Sequence, residues 1–176
     1  MLRFLFPRLT ARPERGSELF AAVSHEARLP HWYVVGGVPD TLDGRFAVLA
    51  TVTALVMVRL EGSEEGGDAA SVSLTERFVE IMEAEHREFG LGDPGLGKKV
   101  RKLVSALARR VDLWRSAVAA DDFSGAAVAS LGTDEGTAHN VAALRDLWAR
   151  LQATLWTARN PRVAGLVPMS EAAVSS

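Results

Sequence analysis

The chain has 176 residues, a formal net charge of -2, no cysteine, 48% hydrophobic and 24% charged residues. That length suits one core, and the composition is that of a folded globular chain, excluding the disordered and membrane-embedded classes. Without cysteine there is no disulfide framework, thiolate nucleophile or cysteine-ligated metal. With so small a net charge, a polyanionic partner needs a local cationic patch.

The opening Met1-Leu2-Arg3-Phe4-Leu5-Phe6-Pro7-Arg8-Leu9 is basic and apolar. It lacks the longer apolar region and small-residue cleavage site of a secretory signal, and fits a mitochondrial presequence or a short membrane-docking segment. We therefore divide the chain into this segment (1–12), a helical domain (13–160) and a tail without regular structure (161–176).

Five helical segments are predicted from apolar spacing and end signals, and no stretch has strand alternation, so the expected class is all-α, a single compact helical domain of about five to seven helices. The first spans about Pro13 to Ala27, with Leu19, Phe20 and Val23 on one face and Pro30 beyond its end. Leu42 to Leu60 is apolar nearly all round, as a central helix requires, and too short in its unbroken apolar run to cross a bilayer. Glu61 to Ala70 reads as an acidic, glycine-rich loop, and Ser73-Leu74-Thr75-Glu76 as a capping box opening the next helix. That helix carries the stripe Leu74, Phe78, Ile81, Met82 and Phe89, and Gly90-Leu91-Gly92 ends it. Asp93-Pro94 restarts a long helix with Leu96, Val100, Leu103, Val104, Leu107, Val111, Trp114 and Val118 at three-four spacing. A linker containing Asp121-Asp122 and Ser124-Gly125 follows, then a last helix with Val141, Leu144, Trp148, Leu151 and Leu155.

Residues 90–99 carry two nucleotide-like patterns that fail in context. Gly90, Gly92 and Gly95 match GxGxxG, but a helix precedes them where a dinucleotide fold needs a strand. Gly92, Gly97 and Lys98 match most of a phosphate loop, but Lys99 stands where Ser or Thr must hold magnesium. Glu83-x-x-His86 has the spacing of a di-iron half-site without the required second copy. His25, His31 and His139 read as hydrogen-bonding histidines, and Ser24-His25-Glu26 is contiguous in sequence rather than arranged as a triad. No cofactor, metal site or catalytic set is expected. Lys98, Lys99, Arg101 and Lys102 are the candidate polyanion-binding residues, for ribosomal RNA or an anionic membrane surface.

Two stretches carry a resemblance. Trp32-Tyr33 followed by Gly37-Val38-Pro39-Asp40-Thr41-Leu42-Asp43-Gly44-Arg45-Phe46 is close to a GVPDT-x-DGRF signature, and residues 87–100 are similar to an LREMGVGD-x-x-VGK-x-(K/R) segment. Both belong to the ubiquinol-cytochrome c chaperone family, which the chain resembles over roughly residues 13–155. Val52 and His86 depart from the family's common histidine and leucine. The resemblance implies a non-enzymatic assembly factor for ubiquinol-cytochrome c reductase that binds newly made cytochrome b, with the ribosome or an anionic membrane surface and a small helper subunit as further partners. It implies a place at the cytoplasmic face of the inner membrane in a bacterium, or on the matrix side in a mitochondrion. The client-binding candidates are Trp32, Tyr33, Asp40, Asp43, Arg45 and Phe46, the two aromatics being expected to stay partly exposed beside the bend at Gly36-Gly37. Capping of the next helix by Asp40 or Thr41, and the favourable place of Asp43 in its first turn, account equally well for the two acids. The alternative function is an RNA- or ribosome-binding helical module acting through the basic helix; a small hydrolase is a third class without residue support.

Overall fold

The computed structural model describes residues 13–61, 63, 66–88, 96–132 and 135–153. Among them the protein is all-α, with seven helices and no strand: α1 (Pro13–Ala27), α2 (His31–Val34), α3 (Leu42–Glu61), α4 (Gly67–Glu88), α5 (Leu96–Ala120), α6 (Phe123–Leu131) and α7 (Thr137–Ala153). The segments 1–12 and 161–176, the glycine corner 90–95, and Leu155 lie outside the described residues.

The core forms around α3. Every residue from Ala50 to Val56 is buried, because α1, α4, α5, α6 and α7 all pack on this one helix. Its two buried threonines carry their own solution: Thr51 Oγ1 donates to the Ala47 carbonyl and Thr53 Oγ1 to the Leu49 carbonyl, both at 2.7 Å, so no hydroxyl is left bare in the core. From α1 come Leu19, Phe20, Val23 and Ala27, from α4 Leu74, Phe78 and Met82, from α5 Leu107, Val111 and Trp114, and from α7 Leu144, Leu147 and Leu151.

Four sequence expectations are corrected. Helix α4 begins at Gly67 rather than at the Ser73 capping box, so Ala69 and Ala70 are helical and Ser73 lies inside the second turn. The start is fixed by close approach, since a Cβ at Gly67 would overlap the Leu60 carbonyl at the end of α3. The expected linker around Ser124-Gly125 is α6, capped by Asp122, whose carboxylate accepts from the Gly125 N–H at 3.1 Å, and closed by Gly132 in the left-handed region at φ 63°. The one-turn helix α2 was not foreseen; it starts after Pro30. Val104 leaves the α5 core stripe and is exposed, while the side chains of Leu96 and Val100 lie outside the described residues.

Direction along the bundle matters for the site. The Phe46 and Phe78 rings lie 5.8 Å apart, so α4 runs back antiparallel to α3. Arg115, near the end of α5, meets Glu61, the last residue of α3, at 2.6 Å. The last turns of α3 and α5 therefore meet at one end of the bundle, opposite the end where α3 begins. No helix among the described residues is long and apolar enough to cross a membrane.

Candidate functional site

A groove of about 460 Å³ opens at that end of the bundle. Tyr33, Phe46, Leu49, Ile81 and Met82 give it apolar and aromatic surface, and Arg28, Asp40 and Arg45 give it charge. It joins the end of α1, the turn of α2, the first turns of α3 and the second half of α4.

The block from Gly36 to Phe46 builds one wall, and its residue types follow from the backbone. Gly37 takes φ 67°, which a side chain would strain, and Val38 returns to the core. Thr41 Oγ1 accepts from the Gly44 N–H at 3.2 Å and caps α3. A Cβ at Gly44 would overlap the Pro39 carbonyl, so only glycine lets the turn fold back on the first helical residues. Asp40 and Arg45 pair at 2.6 Å across this turn, and the bond holds the Asp40 carboxyl below its usual range. Both side chains are well exposed, so the pair sets the shape of the rim more than it stabilises the fold.

The structure separates the six client-binding candidates. Tyr33, Asp40, Arg45 and Phe46 line the groove together. Asp43 is exposed in the first turn of α3, where its charge favours the helix N-terminus, and does not line the groove. Trp32 is not a surface anchor as expected: it is 0% exposed, with its indole N–H donating to the Glu26 carbonyl at 3.0 Å. The one-turn helix after Pro30 rotates Trp32 inward and its neighbour Tyr33 toward the groove. Tyr33 is half-buried, its hydroxyl donating to the Ala27 carbonyl at 2.8 Å, and burial raises its pKa. The exposed aliphatics here are Val34 at 80% and Val35 at 58%, the former on the groove rim.

A polar joint holds α2 from behind. His31 Nδ1 and His139 Nε2 are 3.0 Å apart, and Asn140 Nδ2 donates to the Gly36 carbonyl at 2.9 Å. Buried Glu26 receives both Nη atoms of Arg150, at 3.1 and 3.3 Å, and Arg150 also meets Asp146 at 2.8 Å. Burial, and then the neighbouring His139, lower the His31 pKa below 6.5. Ser24, His25 and Glu26 do not converge: His25 is exposed, whereas Glu26 is spent on Arg150.

Of the polyanion candidates, Lys98, Arg101 and Lys102 are exposed in the first two turns of α5 and make no ion pair among the described residues; the Lys99 side chain lies outside them, as do those of Glu83 and His86. Sequence reasoning missed Arg28, Leu49, Ile81 and Met82 as groove residues. Ile81 and Met82 were visible as part of an apolar stripe, but nothing in a stripe distinguishes a groove floor from sealed core.

Among the described residues the all-helical bundle carries an open groove of mixed apolar and charged surface. The chain belongs to the ubiquinol-cytochrome c chaperone family, whose model matches residues 35–161, and so the resemblance read from the two sequence blocks holds. Its fold is similar to that in the crystal structure of the Cbp3 homolog from Brucella abortus, with a TM-score of 0.70 and 23% identity over 87% of this chain and 89% of that one. No curated protein matches the sequence.

Proposed function

We propose that this protein acts in assembly of ubiquinol-cytochrome c reductase as a holding protein, binding newly made cytochrome b through the groove between α1, α2, α3 and α4. The observation that carries the reading is that four residues of the family-signature region, Tyr33, Asp40, Arg45 and Phe46, converge on one groove with Leu49, Ile81 and Met82. Cytochrome b is an apolar, helical client, and a groove of about 460 Å³ admits several aliphatic side chains from one face of a helix. The Asp40–Arg45 pair and Arg28 offer polar contacts at the rim, which fix orientation without demanding that a charge be buried. The activity is one of binding and release, and no residue is assigned a catalytic role.

The test is a photo-crosslinker at position 34, on the exposed rim, in the native host. Crosslinks to nascent or newly inserted cytochrome b, together with loss of assembled reductase on deletion, are the expected result. Normal reductase levels in the deletion strain and no crosslink would overturn the reading.

A further inference from the structure

We propose that the groove selects its occupant by charge as well as by apolar surface, with Arg28 as the residue that reads a carboxylate. The segment it takes is then an apolar helix with an acidic side chain at the edge of its apolar face. This selectivity rests on the groove being the place where the client is held.

The charges along the groove do not cancel. Among the described residues Arg28 and Arg45 are its lining cations and Asp40 is its lining anion. Asp40 is taken by Arg45 at 2.6 Å, whereas the exposed Arg28 makes no ion pair among the described residues. Burial raises the Tyr33 pKa, and the charges of Arg45, Asp40 and Arg28 act on the same phenol, so the three side chains share one mouth of the groove. The Tyr33 hydroxyl has no proton to offer an anion, since it donates to the Ala27 carbonyl at 2.8 Å. That leaves the Arg28 guanidinium and, four residues earlier on the same wall, the Ser24 hydroxyl, which has no hydrogen-bond partner among the described residues. At the end of α1 the Arg28 charge also suits the helix C-terminus, a role that uses up none of its N–H groups.

The remaining surface is aliphatic and aromatic, from Phe46, Leu49, Ile81 and Met82. A carboxylate beside a matching apolar face is the property of a helix with an acidic side chain three or four residues from its leucines. Arginine meets a carboxylate with a planar fork of two N–H groups, and the Ser24 hydroxyl can supply a third donor. A lysine at the same place on the client would face a net positive rim and be rejected. An acidic side chain is also the group that an apolar helix can least leave unpaired in apolar surroundings, so pairing it is where a holding site gains most.

The test measures binding of the full chain to a leucine-faced helical peptide with a single glutamate at the edge of that face, and to its glutamine and lysine counterparts. The parent protein should bind the glutamate peptide about fivefold tighter than the glutamine peptide and the lysine peptide most weakly, with a preference that shrinks as salt is added. Arg28→Gln should abolish the preference and Arg28→Glu should turn it toward lysine, both with the helical signal of the parent. An unchanged preference in Arg28→Gln, equal binding of the three peptides, or binding of laurate and of no peptide would each overturn the proposal. The crosslink from position 34 to cytochrome b is read separately. If it forms but glutamate is not preferred, charge selection fails and the holding role stands; if glutamate is preferred but no crosslink forms, charge selection stands and the client is a different acidic, apolar helix.

Discussion

Gly36 and Gly136 meet backbone against backbone, a Cβ on Gly136 falling on the Gly36 carbonyl group. The contact locks the loop after α2 onto the start of α7, and Asn140 completes it from the same helix by donating to that same carbonyl. The wall of the groove that carries Tyr33 and Val34 is thus set from across the bundle, by residues about a hundred positions away in sequence.

Gly136→Ala should therefore destabilise the protein by about 1–3 kcal/mol, since the clash is with backbone that cannot rotate away. Gly132→Ala, at a left-handed position with open space around it, should cost less, about 1 kcal/mol. Urea midpoints for the two variants check the order; equal losses would contradict it.

Trp32 and Tyr33 should part company on mutation. Trp32→Ala removes a fully buried indole and should cost about 3–5 kcal/mol in stability. Tyr33→Ala should cost less in stability yet weaken client crosslinking, because its ring lines the groove. A double alanine variant would confuse loss of fold with loss of binding. Chemical denaturation beside crosslink yield, measured on each single variant, separates them.

Leu49→Asp should leave the helical spectrum in place and lower client capture by at least about tenfold, a central groove residue being the place where a charge is least tolerated. Asp43→Ala, outside the groove, should change capture little and trim the stability of α3 by a few tenths of a kcal/mol. Capture by Leu49→Asp at the parent level would remove the groove from the binding surface.

Burial of His31, and then its neighbour His139, should make stability depend on pH. His31 faces His139, Glu26, Arg150 and Asp146, and its pKa is lowered below the unfolded 6.5. Between the folded pKa and 6.5 the unfolded chain binds more protons at this site, so stability rises with pH across that window. The contribution is present above 6.5 and is lost as pH falls through the folded value. A drop in urea midpoint between about pH 7.5 and 5.5, reduced in His31→Gln, is the expected outcome. An identical drop in the variant would place the titration elsewhere.

Much of the fold was readable locally. Apolar spacing with Pro30 beyond it defined α1, and the all-round apolar stretch from Leu42 identified α3 as the central helix. The errors have physical causes. Ser73 to Glu76 has the chemistry of a cap, but the position of the chain reversal is decided by the close approach of Gly67 to Leu60, which sequence spacing does not encode. Alanine-rich α6 has little apolar rhythm, although Asp122 and Gly132 were both in place to mark its ends. Trp32 was misplaced because one helical turn decides which of two adjacent aromatics faces inward. The signature region supplied Tyr33, Asp40, Arg45 and Phe46; the rest of the groove comes from the α2 turn, from Leu49 further along α3, and from α1 and α4, which reach it only through packing.

Because α3 is enclosed by five other helices, the groove cannot widen by moving its α3 wall without opening the core. The other side is α2, a single turn of four residues held by buried Trp32 and by polar and backbone contacts to the start of α7. Amide protection should accordingly be highest along α3 and lower in α2, whose single turn has few helical hydrogen bonds to shield its N–H groups.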